Sequence, residues 1–277
     1  MKITRAMEMI AASRIAKAQR NLENALPYAE RLTAAIEELA RHSGSLSHPL
    51  LDVREEPKTA GVLVVTSDRG LAGAYNSNVL RRAENVLSQV RTRGLEPVLY
   101  VTGKKGQSYF RFRQMSARAV WTGFSEVPAH ADAVEIGGKI VADFEQSVID
   151  ELHTVYTDFR SAFTLRTTDK RFLPIPREAV TADQAATVVA AYILEPEEIL
   201  NDLLPRFVVV EVFAALLESA ASENAARRRA MKSATENAED LIKVLTREAN
   251  QARQAEITTE IMEIVGGSEA LQQAAGE

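Results

Sequence analysis

The sequence predicts a long antiparallel two-helix coiled coil built from the two ends of the chain, with an α/β domain inserted between them. The class is therefore α+β / α/β. Two observations predict it: heptad spacing at both ends, and alternating strand and helix patterns in the middle. A third agrees with them. Aromatic residues are only 6% of the chain while apolar residues reach 46%, and alanine supplies much of that share. Small side chains suit helices that pack closely over long distances.

At the N-terminal end the apolar residues step by three and four from Ile15 through Ala18, Leu22, Ala25, Ala29, Leu32 and Ile36 to Leu39. That is a heptad seam without a polar break. Before it the phase slips to Ile3, Met7, Ala11 and Ile15. Pro27 lies off the seam, so it is expected to bend the helix rather than end it. The helix is expected to stop near Ser43-Gly44.

The C-terminal end carries the stronger signal. From Arg206 to Val265 there is no glycine or proline. Pro205 stands where a helix can start and Gly266-Gly267 where one can stop. Stepping by three and four from Val210 to Met262 meets sixteen positions, twelve of them apolar. The polar exceptions are Asn224, Arg227, Glu248 and Thr259. At 1.5 Å per residue such a helix runs about 90 Å, longer than an ordinary domain is wide. Its seam needs a cover, and the N-terminal helix is the partner available within the chain. The expected division is residues 1–43 and 206–277 for the two helices and 44–205 for the α/β domain.

The middle reads as strands at Val62–Thr66, Pro97–Thr102, Ala119–Thr122 and Thr154–Phe159. Helices are expected at Asn78–Arg93, Gln107–Phe112 and Ala131–Leu152. Strands spaced in this way by helices form a parallel, Rossmann-like layer. Thr181–Leu194 is ambiguous, being β-branched and alanine-rich at once.

Several function classes are excluded or weakened. A net charge of −5 opposes non-specific nucleic-acid binding. No apolar run approaches the roughly 20 residues of a membrane span. Zero cysteines remove disulfides and thiolate chemistry. His42, His48, His130 and His153 are scattered, with no pair at metal-ligand spacing, so no metal is expected. The loop Ser67–Asn76 follows a strand and precedes a helix, where phosphate loops sit. It lacks the G-x-G-x-x-G spacing, however, and Gly103-Lys104-Lys105-Gly106 is not a Walker A loop. Gly70 and Gly73 are explained by a tight turn, and no nucleotide is expected here. Asp68 and Arg69 have no histidine or second carboxylate near them in sequence, and Glu195, Glu197 and Glu198 around Pro196 suit a solvated helix start. No catalytic residue is expected.

Charge adds one positive indication. Lys2, Arg5, Arg14, Lys17 and Arg20 face a single acid, Glu8, within residues 1–20. Arg227, Arg228, Arg229 and Lys232 form a second basic stretch. Isolated charge runs are usually solvated faces, but Asn224 and Arg227 fall on the seam itself, where polar residues fix register or meet outside partners.

Four stretches are similar to the ATP synthase gamma family, in order and across essentially the whole chain. They are KITRAMEMIAASR at Lys2–Arg14, TSDRGLAGAYN at Thr66–Asn76, SENAARRRAMKSATENA at Ser222–Ala238 and ARQAEITTEIMEIVGG at Ala252–Gly267. Thr164–Val189 is the least similar part. Family members usually begin about twenty residues ahead of Lys2, so the lowest part of the N-terminal helix is expected to be short. Ser268 and Arg229 also depart from the family's usual smaller residues.

The resemblance implies a non-catalytic central stalk of a bacterial-type proton-translocating ATP synthase. It implies a shaft inside a ring of three alpha and three beta subunits, with the α/β domain docked on the epsilon subunit and joined to the membrane c-subunit ring. It places the protein, as a peripheral part, at the cytoplasmic face of the bacterial plasma membrane, without cofactor. Carried over by motif, Lys2, Arg5 and Met7 are N-terminal contacts with beta, Arg253 and Gln254 form a C-terminal catch on beta, and Glu195 faces the membrane ring and epsilon. Two other readings stay open: a static coiled-coil scaffold, and a nucleotide-binding enzyme on the α/β layer.

Overall fold

The computed structural model describes residues 2–42, 48–161, 164–176 and 196–274. The chain divides into two compact units, one of Met7–Ala230 and one of Met1–Ala6 with Met231–Glu277. Two helices run through both, α1 (Lys2–His42) and α5 (Pro196–Ala274).

Within the larger unit a five-stranded sheet has the order β3-β2-β1-β4-β5. Its strands are β1 (Thr59–Val65), β2 (Glu96–Thr102), β3 (Ala119–Trp121), β4 (Glu151–Phe159) and β5 (Leu165–Leu173). The first four are parallel, and β5 returns antiparallel along β4. The connecting helices are α2 (Tyr75–Thr92), α3 (Lys104–Phe112) and α4 (His130–Glu145).

The central strand explains the layering. Six successive residues of β1, Ala60 to Val65, are buried, as a strand covered on both faces requires. Val62 and Val64 join a core with α2 and α3, while Leu63 and Val65 join one with α4 and α5. Leu32, Ile36 and Leu39 of α1 belong to the second core. Asp143 of α4 is fully buried and accepts from Tyr100, from Arg118 at 2.8 and 2.9 Å, and from Lys139. The Arg118 guanidinium holds its carboxyl well below the usual range.

The helix pair follows the expected seam. Ile15, Ala18, Leu32, Ile36 and Leu39 are buried and Leu22, Ala25 and Ala29 half-buried. The direction is antiparallel. His48, beyond α1, bonds Asn201 near the start of α5, whereas Glu8 lies 3.9 Å from Arg228. Within the smaller unit, Thr4 bonds Thr235 and Arg5 pairs with Glu239.

Several sequence expectations need correction. α5 begins at Pro196 and carries Pro205 inside it. The buried stripe Leu200, Leu204, Phe207 and Val208 continues across the proline, and that burial offsets the lost backbone bond, a cost of about 3 kcal/mol. The helix also continues through Gly266-Gly267. α4 ends at Glu145 rather than at Leu152, which lies in β4. β5 had no counterpart in the sequence reading. Ser43, Gly44 and Thr181–Leu194 lie outside the described residues.

Candidate functional site

The loop Ser67–Asn76 leaves β1 at the C-terminal edge of the sheet, where a phosphate loop would sit. Here it binds its own chain. The Asp68 carboxylate accepts from the backbone N–H of Gly123 at 2.8 Å, Ser125 at 3.1 Å and Lys104 at 3.2 Å. One side chain thus ties together the loops after β1, β2 and β3. Asn76 closes the loop by accepting from the Ser67 N–H at 3.0 Å and donating to its hydroxyl at 2.8 Å.

Gly103, in the second glycine motif, has φ of +88°, and a Cβ there would lie 2.3 Å from the Thr66 carbonyl oxygen. Glycine is required by that close approach. No ligand is needed to account for it.

α5 reaches this loop through Arg227, whose side chain is almost wholly buried. Its guanidinium donates to Glu223 at 2.7 Å and to the Gly70 carbonyl at 3.2 Å, and lies 3.2 Å from Glu126. Glu126, in the loop after β3, also pairs with Arg14 of α1 and lies 3.7 Å from Arg69. Asn224 donates to the Ala220 carbonyl at 2.8 Å and so keeps its amide satisfied inside the seam. The two polar seam residues singled out in the sequence therefore belong to a joint in which one acid, Glu126, links α1, α5 and the α/β loops. Burial pushes Glu223 up to about 6, against the opposing pull of Arg227. Arg227, Glu223 and Glu126 are paired and largely desolvated there, so they have few alternative arrangements.

Farther along α5, the smaller unit has a different character. From Asp240 to Gly266 every residue is exposed. Leu241 is 58%, Ile261 55%, Met262 70% and Ile264 72% exposed. The seam is buried or half-buried as far as Ala238 and continues beyond it without a described partner in the chain.

The residues singled out in the sequence fall into separate places. Lys2 and Arg5 are exposed in the smaller unit, and Arg5 pairs with Glu239 at 2.7 Å. Met7 is half-buried in the larger unit. Arg253 and Gln254 are both exposed on α5, and Gln254 lines an open groove with Ile242, Thr246 and Asn250. Glu195 lies outside the described residues. Glu126 and Arg14 form the part of the joint whose role the sequence reading missed, and Asp68 the tie between the loops beside it; a polar residue in each of three distant segments gives no local signal. Among the described residues no group of three His, Asp or Glu could hold a metal ion, and no helix is long and apolar enough to cross a membrane.

Comparison with known proteins supplies the family. The family model described as ATP synthase matches residues 1–271. The ATP synthase gamma chain of Mycolicibacterium smegmatis is 50% identical, over 98% of this chain and 92% of its own. That of Saccharopolyspora erythraea is 48% identical, over 100% and 94%. The fold resembles the central stalk of the Tetrahymena thermophila mitochondrial ATP synthase with a TM-score of 0.61 at 23% identity, covering 84% of this chain and 99% of that one. A chain of the Euglena gracilis mitochondrial enzyme gives 0.59 at 16% identity, over 96% and 95%. Matched along nearly its whole length and half identical to gamma chains that cover it, the chain belongs to the ATP synthase family, among its gamma chains.

Proposed function

We propose that this gamma chain is the non-catalytic rotor shaft of its ATP synthase, and that the stretch Asp240–Gly266 of α5 is the part that turns against the alpha and beta subunits. One observation carries the proposal: a helix whose aliphatic seam continues for many residues with no described residue of its own chain over it. Exposed aliphatic surface of that extent marks an interaction surface. Its composition suits a contact that slides, since residues 214–277 contain no Phe, Tyr or Trp, the usual anchors of a static interface.

The mechanism follows from an asymmetric shaft. A partner shifts a conformational equilibrium only by contacting two states unequally. As the shaft turns, each beta subunit meets a different face of α5 and its nucleotide affinity changes. Bond chemistry stays with beta. The α/β domain, within residues 44–205, is then the collar that meets epsilon and the membrane ring, and the Glu126 joint passes torque from collar to helices. On this reading Lys2, Arg5 and Met7 and, on α5, Arg253 and Gln254 contact beta, while Glu195 faces the ring. The working place is the cytoplasmic face of the plasma membrane, as a peripheral part of the complex.

The chain has no cysteine, so one introduced cysteine is a unique label. Ile261→Cys should react rapidly with a maleimide in the free chain and become protected on assembly with alpha and beta subunits. Phe112→Cys, on the α/β domain, should stay reactive. Equal reactivity of Ile261→Cys before and after assembly would sink the proposal.

A further inference from the structure

The outer end of the β4–β5 hairpin meets α5 through two kinds of contact. Thr157 of β4 is fixed by neutral bonds: its N–H donates to the Ser219 hydroxyl at 3.4 Å, and the Ser222 hydroxyl donates to its carbonyl at 3.2 Å. The next residue, Asp158, meets an acid instead, Glu218 of the same stretch of α5. Glu218 Oε2 is buried, and no donor among the described residues reaches it. Buried polar atoms are nearly always paired, so an orphaned carboxyl oxygen calls for an explanation.

The surrounding charges do not supply one. Glu211, two turns earlier on α5, adds a third carboxylate to the field at Glu218. Arg160 donates to Asp158 at 3.2 Å, and Arg166 of β5 stands opposite Asp158 in the ladder. Lys170 of β5 lies over the Tyr156 ring at 5.6 Å and bonds the Tyr156 hydroxyl. Among the described residues these are the charged groups around the two acids. Two carboxyl groups within hydrogen-bonding reach repel unless one carries a proton, which turns an orphaned acceptor into a donor.

We propose that Glu218 holds a proton shared with Asp158, and that this proton latches the end of the β4–β5 hairpin onto α5. Asp158, with its arginines, is the acceptor. Burial, and then the charge of Asp158, push the Glu218 carboxyl up to about 7, so the latch works near neutral pH. Below that pH the bond is made. Above it Glu218 gives its proton to solvent, two carboxylates face each other, and the chain beyond Thr157 leaves the helix. The two serine bonds hold no titrating group, so Thr157 stays in place and acts as the hinge. β5 is the edge strand of the sheet, which lets the hairpin tip move without opening the core. The device makes the order of one surface hairpin depend on the pH around it.

The test places a nitroxide label on the hairpin tip of the full chain, by Thr164→Cys in a sequence with no other cysteine. Thr164 is exposed, and the label's mobility is read by electron paramagnetic resonance from about pH 5.5 to about 8.5. The ratio of mobile to immobile signal should rise with pH through a midpoint near neutrality, by at most about tenfold per pH unit, the slope of one proton. Glu218→Gln, which keeps a donor at every pH, should hold the label immobile throughout. Asp158→Asn, which offers an amide N–H to the ionised Glu218, should do the same and serves if the first variant does not fold. A label on Ser88 of α2 should show no pH response. Mobility independent of pH in the otherwise unmodified chain overturns the proposal, as does an unchanged midpoint in either variant or an equal response at Ser88.

Discussion

The carboxylate of Glu126 lies 3.2 Å from the Arg227 guanidinium and also pairs with Arg14. One side chain in a surface loop therefore balances cations on both long helices. Removing Arg227 leaves Glu223 and Glu126 desolvated beside each other, whereas removing Glu126 leaves Arg227 with Glu223 still bonded.

The expected outcome is asymmetric. Arg227→Ala should cost about 3–5 kcal/mol, the usual loss when one member of a buried pair is deleted. Glu126→Gln should cost about 1–2 kcal/mol, since Arg227 keeps its other partners. Urea unfolding of both variants and of the double mutant measures this. Additive losses would mean that the two residues are not coupled.

Adjacent glycines in α4 give a second, sharper contrast. A Cβ at Gly137 would lie 2.8 Å from Val209 Cγ2 and 3.2 Å from its Cα, whereas nothing lies within 4 Å of one at Gly138. Gly137→Ala should therefore force α4 and α5 apart and lose about 1–3 kcal/mol. Gly138→Ala should gain about 0.5–1 kcal/mol through helix propensity. Thermal midpoints moving in the same direction would show that the helices do not meet as described.

Periodicity made most of this fold legible. Heptad spacing located α1 and the body of α5, and the β-branched runs located β1, β2 and β4. β5 escaped because an edge strand need not look apolar. Its sequence LRTTDKRFL is largely polar and half-exposed, and Asp169 within it is paired with Arg82 of α2. Local breakers misled at Pro205, where the buried stripe on both sides continues the helix. At the joint, Arg227 stood out as a cation on an apolar seam. Its partner Glu126 could not be found, because only the folded sheet brings the loop after β3 to α5. The glycines at 103 and 106 had no legible reason for the same cause, since the atoms they make room for belong to Thr66 and Val101.

Stability should fall as pH rises from about 4.5 to about 7. Glu218 is pushed up to about 7, chiefly by burial and then by the charge of Asp158, with Glu211 adding to the shift and Lys170 opposing it. Glu223 rises to about 6. A carboxyl with a raised folded pKa binds more protons in the folded chain than in the unfolded one. Its contribution is complete below the unfolded value and is lost as pH climbs through the folded value. Asp143 and Glu151 are shifted down. They are ionised in both states over most of this window, and their contributions are lost only at lower pH. The net change is about 1–3 kcal/mol after solvent screening. Glu218→Gln should flatten the dependence and raise stability at pH 7.5; an undiminished slope would assign the effect to other groups.

The last prediction concerns Arg253 and Gln254. Both are exposed. They sit one turn before Ile257, which is 47% exposed, and two turns before Ile261. A polar pair leading an aliphatic stripe can act in two ways. It can keep the helix solvated, in which case removal changes nothing in the assembled enzyme. Alternatively, it can bond beta in one rotary position and release it in the next, adding a step to the rotation profile. Each such bond is worth only about 0.5–1.5 kcal/mol net, too little to hold the complex together, but 1.4 kcal/mol at a rate-setting position alters turnover about tenfold. The double substitution Arg253→Ala and Gln254→Ala should therefore assemble normally while ATP synthesis and the torque of ATP-driven rotation fall. If the double variant matches the unmodified complex in synthesis and torque, the two residues are solvated helix positions, and contact with beta rests on the aliphatic seam alone.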